Sequence, residues 1–153
     1  MANGTHTDAE GSGFHILLVE DNDDHAELFR RMLAYLELPV TLSRASDGSE
    51  ALVLLRNHDG QDTPPISPDV VLLDLKLPRM DGHAVLKEIK QDPKLRHMPV
   101  IIMSTSNAPS DVRRAYDAYA NGYLVKPIDP VEYRTMVRDF VMYWHNWNEP
   151  PIQ

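Results

Sequence analysis

Two short, unbroken apolar runs constrain this chain most: Ile16-Leu17-Leu18-Val19 and Val70-Val71-Leu72-Leu73, each stopped abruptly by carboxylates. A strand that alternates apolar and polar residues can face water on one side, whereas four consecutive branched apolar residues need cover on both faces. The runs therefore predict central strands of a parallel sheet with helices on either side. Glu20-Asp21 follows the first run and Asp74 ends the second. In an open parallel sheet ligands bind outside the carboxyl ends of the strands, so if these two strands are neighbours their acids converge in one crevice. Three carboxylates at close quarters raise each other's pKa unless a cation intervenes. The arrangement asks for a hard divalent metal, and by itself it leaves caps, metal ligands and catalytic groups all open.

From His15 onward, five strand-length runs alternate with five segments of helical period, the sequence form of repeated βα units. The strands are expected at His15 to Val19, about Val40 to Arg44, Val70 to Asp74, Val100 to Ser104 and about Tyr123 to Val125. The first helix sets Phe29, Met32, Leu33 and Leu36 on one face, with Asp23 or Asp24 as its N-cap. Ser46-Asp47-Gly48 turns into a second helix that buries Ala51, Leu54 and Leu55 and ends near Asn57-His58. The third begins near Gly82, buries Val85, Leu86 and Ile89, and stops by Pro93. The fourth places Val112, Ala115, Tyr116 and Tyr119 on one core-facing stripe, and Asn121-Gly122 is expected to close it with left-handed residues. The fifth starts near Asp129-Pro130 and carries Val137, Phe140, Val141 and Trp144 inward. Between the second helix and third strand, Asp59 to Pro68 holds Gly60, Pro64, Pro65 and Pro68 and is expected to be a mobile surface loop.

A chain of 153 residues accommodates one domain with a full core. We place it over residues 14–144, after a polar arm at 1–13 and before an extension at 145–153. Fifteen basic against 23 acidic residues give a net charge of -8, which opposes binding to a phosphate backbone and argues against a nucleic-acid partner. The absence of cysteine removes disulfides, thiolate metal sites and cysteine nucleophiles, and is compatible with a cytoplasmic location. No apolar stretch approaches the roughly 20 residues that span a bilayer, so no membrane association is expected. The seven histidines show no metal-ligand spacing and are assigned to surface or packing roles.

The strand ends carry, in order, Glu20-Asp21, Asp74, Ser104-Thr105 and Lys126-Pro127, and Asp74 opens the loop Asp74-Leu75-Lys76-Leu77-Pro78-Arg79-Met80-Asp81-Gly82. Over roughly Phe14 to Trp144 this resembles the receiver domain of two-component response regulators. The resemblance implies a flavodoxin-like, doubly wound (βα)5 fold with a parallel five-stranded sheet of order 2-1-3-4-5. It implies that Asp74 accepts a phosphoryl group from a sensor histidine kinase, with Mg²⁺ held by Glu20, Asp21, Asp74 and the backbone carbonyl of Lys76. Lys126 is implied to pair with Asp74 and then with the phosphoryl group, and the peptide bond between Lys126 and Pro127 is implied to be cis. Ser104 takes the place of the switch hydroxyl and Tyr123 that of the switch aromatic, so that phosphorylation alters the surface of the fourth helix, fifth strand and fifth helix. Thr105 and Lys76 depart from the commoner pattern, and both bear on the lifetime of the phosphorylated state.

The chain ends soon after the fifth helix, so a downstream protein or phosphotransfer partner is expected to read the signal. The long loop before the third strand, Asp92-Pro93-Lys94-Leu95 and the aromatic last helix resemble the single-domain regulators paired with bacterial phytochrome kinases. In that group a homodimer is common, and Tyr143, Trp144 and Trp147 are the candidate contacts here. An alternative is a receiver-like module that acts without phosphorylation, although none of its site residues is broken. A flavodoxin-like FMN binder fits less well, because Glu20-Asp21-Asn22-Asp23-Asp24 occupies the place of a phosphate cradle. A phosphatase of the haloacid dehalogenase type wants an Asp where Lys76 stands. The chain is therefore expected to be a phosphoacceptor signalling domain, with self-catalysed phosphotransfer and autodephosphorylation, rather than a turnover enzyme.

Overall fold

The computed structural model describes residues 13–56 and 65–151. The expected arm, apart from Gly13, the expected end of the second helix at Asn57-His58 and residues 59–64 of the expected loop lie outside the described residues. The elements are β1 (Phe14–Val19), α1 (Asp23–Leu36), β2 (Val40–Ala45), α2 (Gly48–Arg56), β3 (Val70–Leu73), α3 (Gly82–Gln91), β4 (Val100–Ser104), α4 (Pro109–Asp117), β5 (Gly122–Val125) and α5 (Pro130–Asn146). All pairings are parallel and the strand order is β2-β1-β3-β4-β5, the flavodoxin-like arrangement.

The pleat divides the apolar runs between two cores. Leu17, Val19, Val71, Leu73, Val100 and Ile102 meet α2, α3 and α4 through Ala51, Leu55, Val85, Leu86, Ile89 and Ala115. Ile16, Leu18, Val70, Leu72, Ile101 and Met103 meet α1 and α5 through Ala26, Phe29, Leu33, Val137, Phe140 and Val141. Every residue of β3 and β4 is buried, which is why these strands read as continuous apolar runs. In register, Val19 lies opposite Leu73, so Glu20 and Asp74 leave the sheet side by side.

Several local expectations are corrected. Asn22, rather than Asp23 or Asp24, caps α1: its side-chain oxygen accepts from the His25 N–H at 3.0 Å, while Asp23 turns to Arg44. Asp129 caps α5, accepting from the Val131 N–H at 3.0 Å. On α4 only Ala115 is buried; Tyr116 is 50% exposed and Tyr119 is 76% exposed. The helix stops at Asp117, and Tyr119, with φ of 70°, supplies the left-handed turn beyond it. Asn121 instead accepts hydrogen bonds through its side chain, from the Val100 N–H and from Lys90 Nζ, both at 2.9 Å, pinning the entry to β5. Trp144 packs on Phe140 and joins the α1/α5 core, whereas Trp147 is 80% exposed. No helix among the described residues is long and apolar enough to cross a membrane.

Candidate phosphoacceptor site

The site lies at the carboxyl edge of β1, β3, β4 and β5, where the strands yield polar groups as their pairing ends. The ladder carries slightly past the strands: Glu20 N–H donates to Ala45 O at 3.0 Å, Asp74 N–H to Val19 O at 3.1 Å and Lys126 N–H to Ser104 O at 2.7 Å. These backbone bonds fix the points from which the acids and the lysine project. Lys126 Nζ reaches both sides of the crevice, donating to Glu20 Oε1 at 2.6 Å and to Asp74 Oδ2 at 3.2 Å. The expected cis bond is corrected: among the described residues no peptide bond is cis, and the lysine reaches the acids across a trans bond to Pro127.

Glu20 is only 2% exposed, while Asp21 faces solvent. Burial pushes the Glu20 carboxyl above its usual range, Lys126 opposes that shift through hydrogen bonding and charge, and Asp74 adds to it. Carboxylate oxygens of Glu20, Asp21 and Asp74 all lie within 4.8 Å of one another. Such an all-oxygen set, open to water on the Asp21 side, fits a hard divalent cation that keeps part of its hydration shell. The Lys76 backbone N–H donates to Asp74 Oδ1 at 3.1 Å and steadies the acceptor carboxylate, while the Lys76 side chain stays exposed.

Ser104 is fully buried, and its hydroxyl oxygen accepts from the Ser106 N–H at 3.1 Å. Tyr123 donates its hydroxyl proton to the Ser106 carbonyl at 2.9 Å. Ser104 and Tyr123 are thus joined through one residue of the β4–α4 loop. That residue is itself anchored: the Ser106 hydroxyl donates to Asp111 Oδ2 on α4 at 2.6 Å. Thr105 is exposed at the mouth of the site.

Four participants escape a sequence reading. Ser106 and Asp111 look like ordinary loop and first-turn residues, and only their spacing of five hints at a loop-to-helix bond. Tyr133, on α5, is buried close enough to Glu20 that burial first and then the carboxylate's charge push its phenol far above the usual range. Arg44 reaches the acidic loop from β2. The candidates Tyr143, Trp144 and Trp147 lie elsewhere, on and just beyond the last turns of α5.

The fold and the site together define a doubly wound signalling domain built around an acceptor carboxylate, a cation site and a lysine. Residues 16–138 match the response regulator receiver domain, and the chain belongs to that family. It is 42% identical over 138 residues to the probable methanogenesis regulatory protein FilR2 of Methanothrix harundinacea, covering 90% of this chain and 88% of that one. The phosphorylated cyanobacterial phytochrome response regulator RcpA superposes with a TM-score of 0.85 at 34% identity, over 92% of this chain and 99% of that one. The Mn²⁺-bound form of response regulator Rcp1 gives 0.83 at 33%, over 91% and 99%. Rcp1, from Synechocystis, is similar along 84% of this sequence and 87% of its own. A phosphorelay function follows for the chain, as a signalling domain and not a conventional turnover enzyme.

Proposed function

We propose that Asp74 is the phosphoacceptor, taking its phosphoryl group from the phosphohistidine of a sensor kinase. The observation that carries this is the convergence of Glu20, Asp21 and Asp74 within 4.8 Å with Lys126 bridging two of them. An Asp74 carboxylate oxygen bonds to phosphorus as the phosphorus–nitrogen bond of the donor breaks, and the imidazole leaves with the electron pair. Glu20, Asp21, Asp74 and the Lys76 carbonyl would hold Mg²⁺, which supplies the positive charge that offsets repulsion between the carboxylate and the phosphoryl oxygens. Lys126 gives up its bond to Asp74 and pairs with a phosphoryl oxygen, an exchange suited to a point charge on a long stem.

The switch begins at Ser104. To bond the phosphoryl group its hydroxyl leaves the Ser106 N–H, and the Ser106 carbonyl that holds Tyr123 moves with that loop. Tyr123 then turns inward, changing the surface of α4, β5 and α5. On that surface and its C-terminal extension, Tyr143 and Trp147 are exposed aromatic anchors for a homodimer, while Trp144 is partly committed to the core.

The kinase is, by this proposal, a phytochrome of the bacterial type, and the signal passes to a downstream protein or phosphotransfer partner in the cytoplasm. Support comes from RcpA, a phytochrome response regulator that covers nearly the same length. Incubation with Mg²⁺ and acetyl phosphate, with and without a phosphorylated phytochrome kinase, tests both levels. Wild type should be labelled and Asp74→Asn should not; equal labelling of the two rejects the acceptor. Labelling by acetyl phosphate but not by the kinase rejects the pairing alone.

A further inference from the structure

Arg44, the next-to-last residue of β2, has no part in the roles assigned above, yet its guanidinium is aimed at the acidic loop. Its Nε and Nη2 donate to one acceptor, the Glu20 backbone carbonyl, at 3.0 and 2.9 Å. Its Nη1 donates to Asp23 Oδ1 at 2.7 Å. The Arg44 side chain is 20% exposed, which keeps the bonds to the carbonyl from full competition with water, while the Asp23 side chain is 90% exposed. We infer that Arg44 is a positioning residue for divalent-cation binding, because it clamps the peptide plane from which the metal-binding acids project.

The gripped carbonyl belongs to the peptide that joins Glu20 to Asp21, so holding it fixes one plane shared by both residues. Without that clamp the segment Glu20-Asp21-Asn22-Asp23-Asp24 carries four acids in five positions, and mutual repulsion drives it apart. Asp21 lies between the end of β1 and the start of α1 and has no regular backbone pairing of its own. A planar fork holds both the carbonyl and Asp23 at once, which a lysine cannot reproduce.

Two effects of Arg44 on a bound cation oppose each other. Its charge repels the cation, whereas its clamp holds the ligands in place. The contact with Asp23 decides between them: a guanidinium in such a pair presents little net charge to its surroundings, and the positioning effect wins. Removing a cation should therefore weaken cation binding, the reverse of what charge alone predicts.

This inference rests on the metal-site reading, and Mn²⁺ titration by calorimetry separates the two. Wild type, Arg44→Gln and Arg44→Lys are compared at equal pH and ionic strength, with circular dichroism to check folding. Loss of a partner behind a ligand typically weakens metal affinity by about tenfold or more, and that is expected for Arg44→Gln. Arg44→Lys keeps the charge but not the fork and should recover only part of the loss. Equal or tighter binding by Arg44→Gln overturns the inference, as does full recovery in Arg44→Lys. If Arg44→Gln does not fold, Arg44→Lys decides alone, with wild-type affinity overturning the inference. A wild type that binds no Mn²⁺ overturns the metal site itself and this inference with it; binding that is equal in all three proteins removes only Arg44's role.

Discussion

Gly82→Ala tests how closely the helix after the acceptor loop governs the acceptor. Gly82 opens α3, and its N–H donates to the Leu75 carbonyl at 2.9 Å. A Cβ placed there would run into the Asp74 carbonyl oxygen and sit 2.6 Å from Leu75 Cα, well inside the 3.4 Å at which ordinary contact begins. Both obstacles are backbone atoms, so no side chain can swing aside. Relief requires the start of α3 and the Asp74-Leu75 backbone to separate by at least about 0.8 Å, the gap between those two distances, and by more at the closer Asp74 carbonyl oxygen. Overpacking of this kind costs about 1–3 kcal/mol. A misplacement near 1 Å at a reacting group costs about a hundredfold in rate. We therefore expect Gly82→Ala to lose about 2 kcal/mol in urea denaturation and to label from acetyl phosphate about a hundredfold more slowly. Gly122→Ala is the control: its Cβ would meet only the Ile101 side chain, at the opposite end of β5 from Lys126, so the labelling rate should hold. A Gly82→Ala protein that loses stability yet labels at the wild-type rate refutes the coupling between α3 and the acceptor.

Lys126→Met removes the cation between two carboxylates of which Glu20 is buried; breaking a buried pair costs about 3–5 kcal/mol, and the loss should shrink as pH falls, because burial raises the Glu20 pKa and a protonated Glu20 leaves no unpaired buried charge. Denaturation in chelator at pH 7 and pH 5 checks this, and equal losses at both contradict it. Burial lowers the pKa of His15 below 6.5, with Asp69 opposing more weakly. The unfolded chain therefore binds the proton more readily, so stability is held above about pH 6.5 and falls as pH drops below it; His15→Gln should flatten that slope in urea midpoints measured from pH 7.5 to 5.5. Sedimentation of wild type and Trp147→Ala at equal concentration should show a dimer weakened by the substitution, and monomers in both exclude the interface.

The central strands were legible because burial on both faces leaves no room for alternation, as in Val70 to Leu73 and Val100 to Ser104. The acids and Lys126 were legible because parallel strands all end at one edge, so position after a strand predicts position in the crevice. Helix ends were less so. Asn22, Asp23 and Asp24 all have capping side chains, and the choice among them turned on Arg44, which arrives from another strand. Tyr116 and Tyr119 fit a helical stripe in sequence, but α4 ends before the second and turns the first to solvent. The isomer before Pro127 is not written locally at all, since the two forms differ by only about 0.5–1 kcal/mol in the isolated chain. The links through Ser106, Asp111 and Tyr133 depend on tertiary contacts between polar residues, which no periodicity records.

Mapping the phosphoryl group tests directly whether Asp74 is the acceptor. After labelling with Mg²⁺ and acetyl phosphate, borohydride reduction of the acyl phosphate and peptide mass spectrometry locate the modified carboxylate. Reduction is expected at Asp74 alone and is abolished in chelator. Modification at Glu20, Asp21 or another acid, or at Asp74 without any need for a divalent cation, would contradict this.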